Sequence, residues 1–328
     1  MLSPRLEDDV AIALGLILRH LASSGYRFIT PTPLTHQRVL PHRGAQTAAN
    51  LRDVFGWNMP FKVVTCVGMT RELLAAMRGA GVLHTQGDVL RSLVRISSIG
   101  DELFVHSGYP TTHDDAVFFG PDTYRFAQFV QSGVTTFKRN SNQALRLLDV
   151  GCGSGAGGIV ASRALAPSGP VEVCMNDINP VALQYTGVNA AFAAVPIKPA
   201  LGNALRAVKG DFDLIISNPP YLDDAAGRAY RHGGAGLGRA LSVRIGQEAL
   251  NRLAPGGRLL LYTGVAIVGG VDPFLADMQP LLSDTQFDWS YTEIDPDVFG
   301  EELEQPAYAQ VERIAAVGLT VTRKQAAL

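Results

Sequence analysis

A continuous apolar strand ending in closely spaced glycines, Leu147-Leu148-Asp149-Val150-Gly151-Cys152-Gly153-Ser154-Gly155, constrains this chain more than any other segment. Such a strand belongs in a parallel sheet covered on both faces by helices. The glycines permit positive φ and leave no Cβ between the backbone and a ligand. Their spacing is G-x-G-x-G followed by Ala156-Gly157-Gly158, which differs from the G-x-G-x-x-G of a nicotinamide site. The turn suits a bulky cofactor lying across the strand ends at Gly151, Gly153 and Gly155. Asp149, two residues before the first glycine, is placed to bond a cationic amino group or a water held near one.

Two further strands extend the pattern. Val171-Glu172-Val173-Cys174-Met175-Asn176-Asp177 carries an acid at its carboxyl end, about 20 residues past the glycines, where a carboxylate accepts hydrogen bonds from ribose hydroxyls. Asp177, with Ile178 after it, is therefore the expected ribose side of the site; the competing reading makes Asp177 a cap for the helix that starts at Pro180. Asp213-Leu214-Ile215-Ile216-Ser217 then runs into Asn218-Pro219-Pro220-Tyr221. Asn-Pro and Pro-Pro are ordinary loop signals, but here they follow a buried strand about 60 residues beyond the glycine turn. An amide or aromatic amine nitrogen is a poor nucleophile because its lone pair is delocalised. The Asn218 side-chain oxygen and the Pro219 carbonyl can accept its two hydrogens and favour the pyramidal form, an interaction stronger in the transition state than in the ground state. Proline fixes the backbone and removes competing donors, and Tyr221 is expected to stack on the planar acceptor.

The order D-x-G-x-G-x-G, an acid after the second strand, then N-P-P-Y resembles the class I S-adenosylmethionine-dependent methyltransferases, in the branch that methylates amino or amide nitrogens. Arg231-His232-Gly233-Gly234-Ala235-Gly236-Leu237 and Leu253-Ala254-Pro255-Gly256-Gly257-Arg258-Leu259-Leu260-Leu261 resemble release-factor glutamine methyltransferases of the HemK type. The resemblance covers roughly residues 110 to 325. It implies S-adenosyl-L-methionine as cofactor, with Asp149, Gly151, Gly153, Gly155, Asp177, Ile178, Asn203 and Asn218 around it and Asn218, Pro219, Pro220 and Tyr221 as the catalytic loop. Two positions depart from that pattern. Asn203 stands where many relatives have an aspartate that meets the adenine amine, and its side-chain carbonyl keeps the accepting role. Tyr262 stands where the glutamine enzymes usually have an acid.

Five strands, Leu145 to Val150, Val171 to Asn176, Ile197 to Leu201, Phe212 to Ser217 and Arg258 to Thr263, alternate with helical or glycine-rich connections. This alternation predicts right-handed crossovers and an α/β, Rossmann-like doubly wound sheet. Phe287 to Ile294 and Ala315 to Thr322 add an antiparallel ending, making seven strands with the last antiparallel. Ahead of it, residues 6 to 23 have helical periodicity, opened by Ser3-Pro4 and stopped by Ser24-Gly25. Thr30 to Arg43 reads as an irregular loop, Arg71 to Arg78 as a short helix ended by Gly79, and Val89 to Ile96 with Glu102 to His106 as a hairpin. The expectation is a small N-terminal α+β domain for substrate recognition over residues 1–110 and a cofactor-binding methyltransferase domain over 111–328. Between them, Phe118, Phe119 and Thr123 either line the cofactor or serve as core aromatics and a helix cap.

The 328 residues are 47% hydrophobic and 18% charged, with a formal charge of −2, so no global basic field advertises nucleic acid. Cys66, Cys152 and Cys174 form no C-x-x-C pair and point to reduced thiols. The early apolar run Val10 to Leu18 is too short for a bilayer and follows acids, which argues against a signal peptide or membrane anchor; a cytoplasmic enzyme is the expectation. The histidines have no metal-ligand spacing. Residues 1–140 hold 14 Lys and Arg against 11 Asp and Glu, a charge of +3, while the remainder holds 14 against 19, or −5. Arg38, His42, Arg43 and Arg52 beside Trp57 form either a basic patch or a solvated face. The loop 230–239, which begins Tyr230-Arg231-His232, either closes over substrate with Arg231 or His232 touching it or is a surface loop. A protein glutamine, an RNA base and a small amine or amide metabolite all remain open as acceptors, as does the oligomeric state.

Overall fold

The computed structural model describes residues 4–43, 47–137, 143–224, 227–228 and 230–325. The chain opens with α1 (Pro4–Ser23), α2 (Pro33–Val39), α3 (Leu51–Phe55) and α4 (Arg71–Gly79), then β1 (Leu83–Gln86), β2 (Val89–Ser92), β3 (Val94–Ile99) and β4 (Glu102–Ser107). α1 is ended as expected, with Gly25 at φ 71° and Tyr26 N–H closing back on Leu21 at 3.0 Å.

Three early expectations need correction. Thr30 to Arg43 is not an irregular loop. Thr32 caps α2 by accepting from the Thr35 N–H, and Pro33 occupies the first turn, where its missing N–H costs nothing; a 3₁₀ turn follows at Leu40–Arg43. α4 continues through Gly79, and Gly81, at φ 67°, turns the chain instead. The strand expected over Val89 to Ile96 is two strands. Ser92 Oγ donates to the Val94 carbonyl at 2.7 Å, a local bond that breaks the ladder and lets β2 pair with the unforeseen β1 while β3 pairs with β4.

The second part consists of α5 (Pro121–Thr135), β5 (Leu145–Val150), α6 (Ala156–Leu165), β6 (Val171–Asp177), α7 (Pro180–Phe192), β7 (Ile197–Leu201), β8 (Phe212–Ser217), α8 (Ala240–Leu250), β9 (Leu253–Ile267), α9 (Pro273–Leu282), β10 (Phe287–Asp295) and β11 (Arg313–Arg323). Among the described residues seven strands form one sheet in the order β10-β11-β9-β8-β5-β6-β7. β5 to β9 run parallel and β11 lies antiparallel to both β9 and β10. This is the doubly wound sheet read from the strand pattern, with β9 longer than its expected core at Arg258 to Thr263.

Side chains alternate between two cores, as the two-residue period of a strand requires. Leu147, Leu214, Ile216, Leu260 and Tyr262 pack with α5 and α6, while Leu148, Ile215, Leu259 and Leu261 pack with α8 and α9. The order reverses at β5, whose neighbours β6 and β8 connect in opposite directions, so the crevice beyond its carboxyl end is the natural ligand position. The N-terminal core reaches into this sheet layer: Val188, Tyr185 and Phe192 of α7 belong to the cluster formed by α1, α3 and α4. Asn189 is the polar link. It accepts from Val105 N–H at 2.8 Å and donates to the carbonyls of Val105 and Ser154 at 3.1 and 2.9 Å, joining β4 to the glycine turn.

Candidate active site

A cavity of about 380 Å³ lies at the carboxyl ends of β5, β6 and β8, within the usual size range of small-molecule sites. Gly151, Gly153, Asp177, Ile178, Asn203 and the whole Asn218-Pro219-Pro220-Tyr221 loop line it. Asp149 and Gly155 are not on its wall. Gly155 instead starts α6 at φ 78°, and the Asp149 carboxylate accepts the Gly158 N–H at 2.7 Å, fixing that helix to β5 from behind. Ser217, fully buried, donates to the Val150 carbonyl at 2.8 Å and holds the end of β8 beside the end of β5.

The two carboxylates are tuned by burial. Asp149 is pushed up to about 7 by desolvation first; the Gly158 N–H opposes this and the nearby Asp177 charge adds to it. Asp177 is also raised by burial, against the N–H groups of Asn179 and Gly153 that stabilise its charge. Its two oxygens take those N–H groups at 2.9 Å each, so the side chain ties the glycine turn to the end of β6. Helix capping falls to Asn179, whose side chain accepts from Val181 N–H at 2.9 Å. At the far end, Asn203 Oδ1 accepts from Arg244 at 2.8 Å, so the carbonyl expected to face a ligand amine is engaged by a guanidinium.

The acceptor side is less satisfied. The Asn218 side chain has no hydrogen-bond partner among the described residues. Tyr221 is 7% exposed; its ring lies against Gly264 and meets Phe299 edge-on at 5.9 Å, while its hydroxyl is buried without a partner. Much of the ring expected to stack on an acceptor is thus covered by protein. Phe299 sits at φ 54°, a strained conformation for an aromatic residue, and it too lines the cavity.

The glycine turn and the N-P-P-Y loop now share one cavity, and a family comparison covers both. Residues 133–264 match the methyltransferase small domain. The release factor glutamine methyltransferase of Deinococcus radiodurans is 38% identical over 128 residues, 35% of this chain and 44% of that protein. The ribosomal RNA small subunit methyltransferase C of Serratia proteamaculans is 30% identical over 114 residues, 35% of this chain and 29% of its own length. The chain therefore spans less than half the length of these two curated relatives. Wild-type Trm5b from Pyrococcus abyssi aligns over 90% of this chain and 79% of its own with a TM-score of 0.48 and 14% identity.

Side chains from outside the methyltransferase small domain complete the wall, and the sequence reading missed most of them. Asp122, at the start of α5, lines the cavity and accepts from the Tyr262 hydroxyl at 3.0 Å. Burial raises its carboxyl to about 6, with Tyr262 and Arg125 pulling the other way. Tyr262 thus holds a carboxylate 140 residues away in sequence. Phe118 and Thr123 line the cavity, and Thr123 Oγ1 also accepts the Gly120 N–H at 3.2 Å, the bond of a helix cap. Phe119 turns into the core, stacked on His106 at 4.9 Å.

Tyr230 and Arg231 reach the cavity from the segment after N-P-P-Y. Arg231 pairs with Asp224 at 3.6 Å and with Glu302. Gly233 has its value in close approach: a Cβ there would lie 2.6 Å from the Pro220 carbonyl oxygen, so the segment packs on the N-P-P-Y loop. Elsewhere, Arg43 sits over the Trp57 ring at 5.2 Å and pairs with Asp53, and Arg52 sits over Phe28 at 5.4 Å. These two arginines of the suspected basic patch have structural partners.

Proposed function

We propose that this chain is an S-adenosylmethionine-dependent N-methyltransferase that transfers a methyl group to a planar amino or amide nitrogen of a macromolecule, a protein glutamine or an RNA base. The observation that carries this reading is the single cavity in which Asp177, the glycine turn and an unpaired Asn218 meet. The relatives named above, one acting by its name on a release factor and one on ribosomal RNA, support it.

The residues fit such a cofactor. Gly151 and Gly153 stand at φ 69° and 55°, and a Cβ on either would meet no atom within 4 Å, so the wall is open where a ligand must approach the backbone. Asp177 retains lone pairs for ribose hydroxyls after taking its two N–H groups. Asp122 places a carboxylate on the wall where a cationic amino group would find a partner. When bound, S-adenosylmethionine supplies an electrophilic methyl group. Asn218 Oδ1 and the Pro219 carbonyl accept the two hydrogens of the acceptor nitrogen and turn its lone pair toward the cavity. Pro220 has no N–H to compete. Alignment of the two partners supplies most of the rate, and the proton leaves after the nitrogen has become cationic.

Residues 1–110 are read as the substrate-recognition unit and 111–328 as the cofactor-binding unit. The bond from Tyr230 to the Thr111 carbonyl, 2.6 Å, ties the segment after the acceptor loop to the first residues of the cofactor-binding unit, next to the junction with residues 1–110. Calorimetric titration with S-adenosylhomocysteine tests the cofactor assignment. Binding is expected for the wild type and a loss of at least about tenfold for Asp177→Ala, the equivalent of one charge-assisted hydrogen bond. No binding by the wild-type protein refutes the assignment.

A further inference from the structure

The cavity holds two aromatic rings that the mechanism above does not use. Phe118 and Tyr230 are inclined by only 13°, with centroids 6.3 Å apart, and both line the cavity with Asn218 and Pro219. That separation is near the outer limit for two rings stacking on each other, about 7 Å. Neither ring is free to turn away. Phe118 lies over Gly120, where a Cβ would come within 2.6 Å of its Cζ. Tyr230 is tied by its hydroxyl to the Thr111 carbonyl at 2.6 Å, and Arg228 reaches that hydroxyl at 3.3 Å. Arg228 is in turn held by Asp224, so the residues that carry Tyr230 are braced before any ligand arrives. A braced surface loses little entropy on binding.

Tyr221, the aromatic residue of the catalytic loop, is committed to Gly264 and Phe299. The near-parallel pair is a second aromatic surface in the cavity that Asn218 also lines. We propose that Phe118 and Tyr230 seat the flat ring of the acceptor, and that the acceptor is a nucleobase in single-stranded RNA and not a glutamine side chain. A glutamine amide is planar over too few atoms to use two aromatic faces, whereas every base has a π-face and gains from stacking whatever its identity. The charge of +3 over residues 1–140, 14 Lys and Arg against 11 Asp and Glu, fits a polyanion approaching from that side. The inference rests on the methyltransferase reading and names its substrate class.

The test compares two ligands with the full chain saturated by S-adenosylhomocysteine. One is a random-sequence single-stranded RNA of about 12 nucleotides, within the footprint range of single-strand binders; the other is an abasic oligomer with the same backbone. Wild-type protein is expected to prefer the base-bearing strand by roughly 5- to 150-fold, the range that one stacked base provides. Phe118→Ala and Tyr230→Ala each abolish most of that preference, Phe118→Tyr retains it, and Tyr230→Phe, which keeps the ring but loses the hydroxyl brace, retains part of it. A cooperative melting transition is retained in all four, which separates a lost seat from a lost fold. Equal binding of the abasic strand by wild type overturns the proposal, as does a preference that survives both alanine variants. Methylation of a glutamine peptide at a rate indifferent to Phe118→Ala overturns it in favour of an amide acceptor. Failure of the methyltransferase reading shows separately, as absence of S-adenosylhomocysteine binding.

Discussion

The two ends of the cavity are built on different principles. At the glycine end, the two carboxylates are paired within the protein, Asp149 with Gly158 and Asp177 with Gly153 and Asn179, and Asn176 Oδ1 is the buried atom there without a partner among the described residues. At the acceptor end, the Asn218 side chain has no partner among the described residues, and the Tyr221 hydroxyl and His232 Nδ1 are buried without one. Buried polar groups are normally satisfied, and the exceptions ask for an explanation. The contrast teaches that the carboxylates of the first end are held in place before a ligand binds. The second keeps unspent hydrogen-bonding capacity for a transition state.

If this contrast is right, damage to the two ends separates cleanly. Asn218→Ala removes an acceptor used only as the nitrogen changes shape, and transfer is expected to fall by about 10²- to 10³-fold with unchanged affinity for S-adenosylhomocysteine. Gly153→Val does the reverse. A branched side chain at φ 55° is strained by about 1–2 kcal/mol and its bulk enters the cavity, so cofactor affinity drops about tenfold or more. Single-turnover rates and calorimetry on the two proteins distinguish the effects, and equal losses in both assays for both variants break the comparison.

Other changes sharpen it through stability. Asn189→Leu leaves the Val105 N–H and two carbonyls without their bonds, at about 1–3 kcal/mol for each orphaned group. For a chain of this size that lowers Tm by about 2–4 °C per kcal/mol, read in a melting curve. The smallest effect is pH dependence. Because the folded pKa of Asp149, about 7, lies above the unfolded value of about 3.9, the folded state binds more protons between these limits. Stability is therefore full at low pH and declines as pH rises toward and through 7. Asp122, at about 6, declines in the same direction over a narrower window. Asp149→Asn is expected to flatten the Tm profile between about pH 4 and 7, the span between the unfolded and folded values; a profile as steep as wild type contradicts the assignment.

The sheet and the glycine turn were legible because they are local. Each strand's apolar run, the glycines and Asn218-Pro219-Pro220-Tyr221 lie within a few residues of one another, and periodicity locates them without knowledge of the fold. Asp122, Tyr230, Arg244 and Phe299 were not legible. Their signal is spatial: Asp122 acquires meaning through Tyr262, 140 residues on, and Arg244 through Asn203, 41 residues back. The error at Thr30 to Arg43 was of another kind. Thr32 and Pro33 were read as loop formers, although a threonine followed by proline is also a helix start. At Tyr221 the residue type indicated stacking, but tertiary packing against Gly264 claimed much of its ring.

The central claim is that one cavity brings a methyl donor to a planar nitrogen, and labelled methyl transfer tests it most directly. S-adenosylmethionine carrying an isotopic methyl group is incubated with the protein and cell extract, and the extract is divided into ribonuclease-treated, protease-treated and low-molecular-weight fractions. The labelled product is then hydrolysed to identify the methylated atom. The account predicts label on nitrogen in a macromolecular fraction, lost with ribonuclease and absent with Asn218→Ala. Label on oxygen or carbon, or no transfer by a wild-type protein that binds the cofactor, contradicts it.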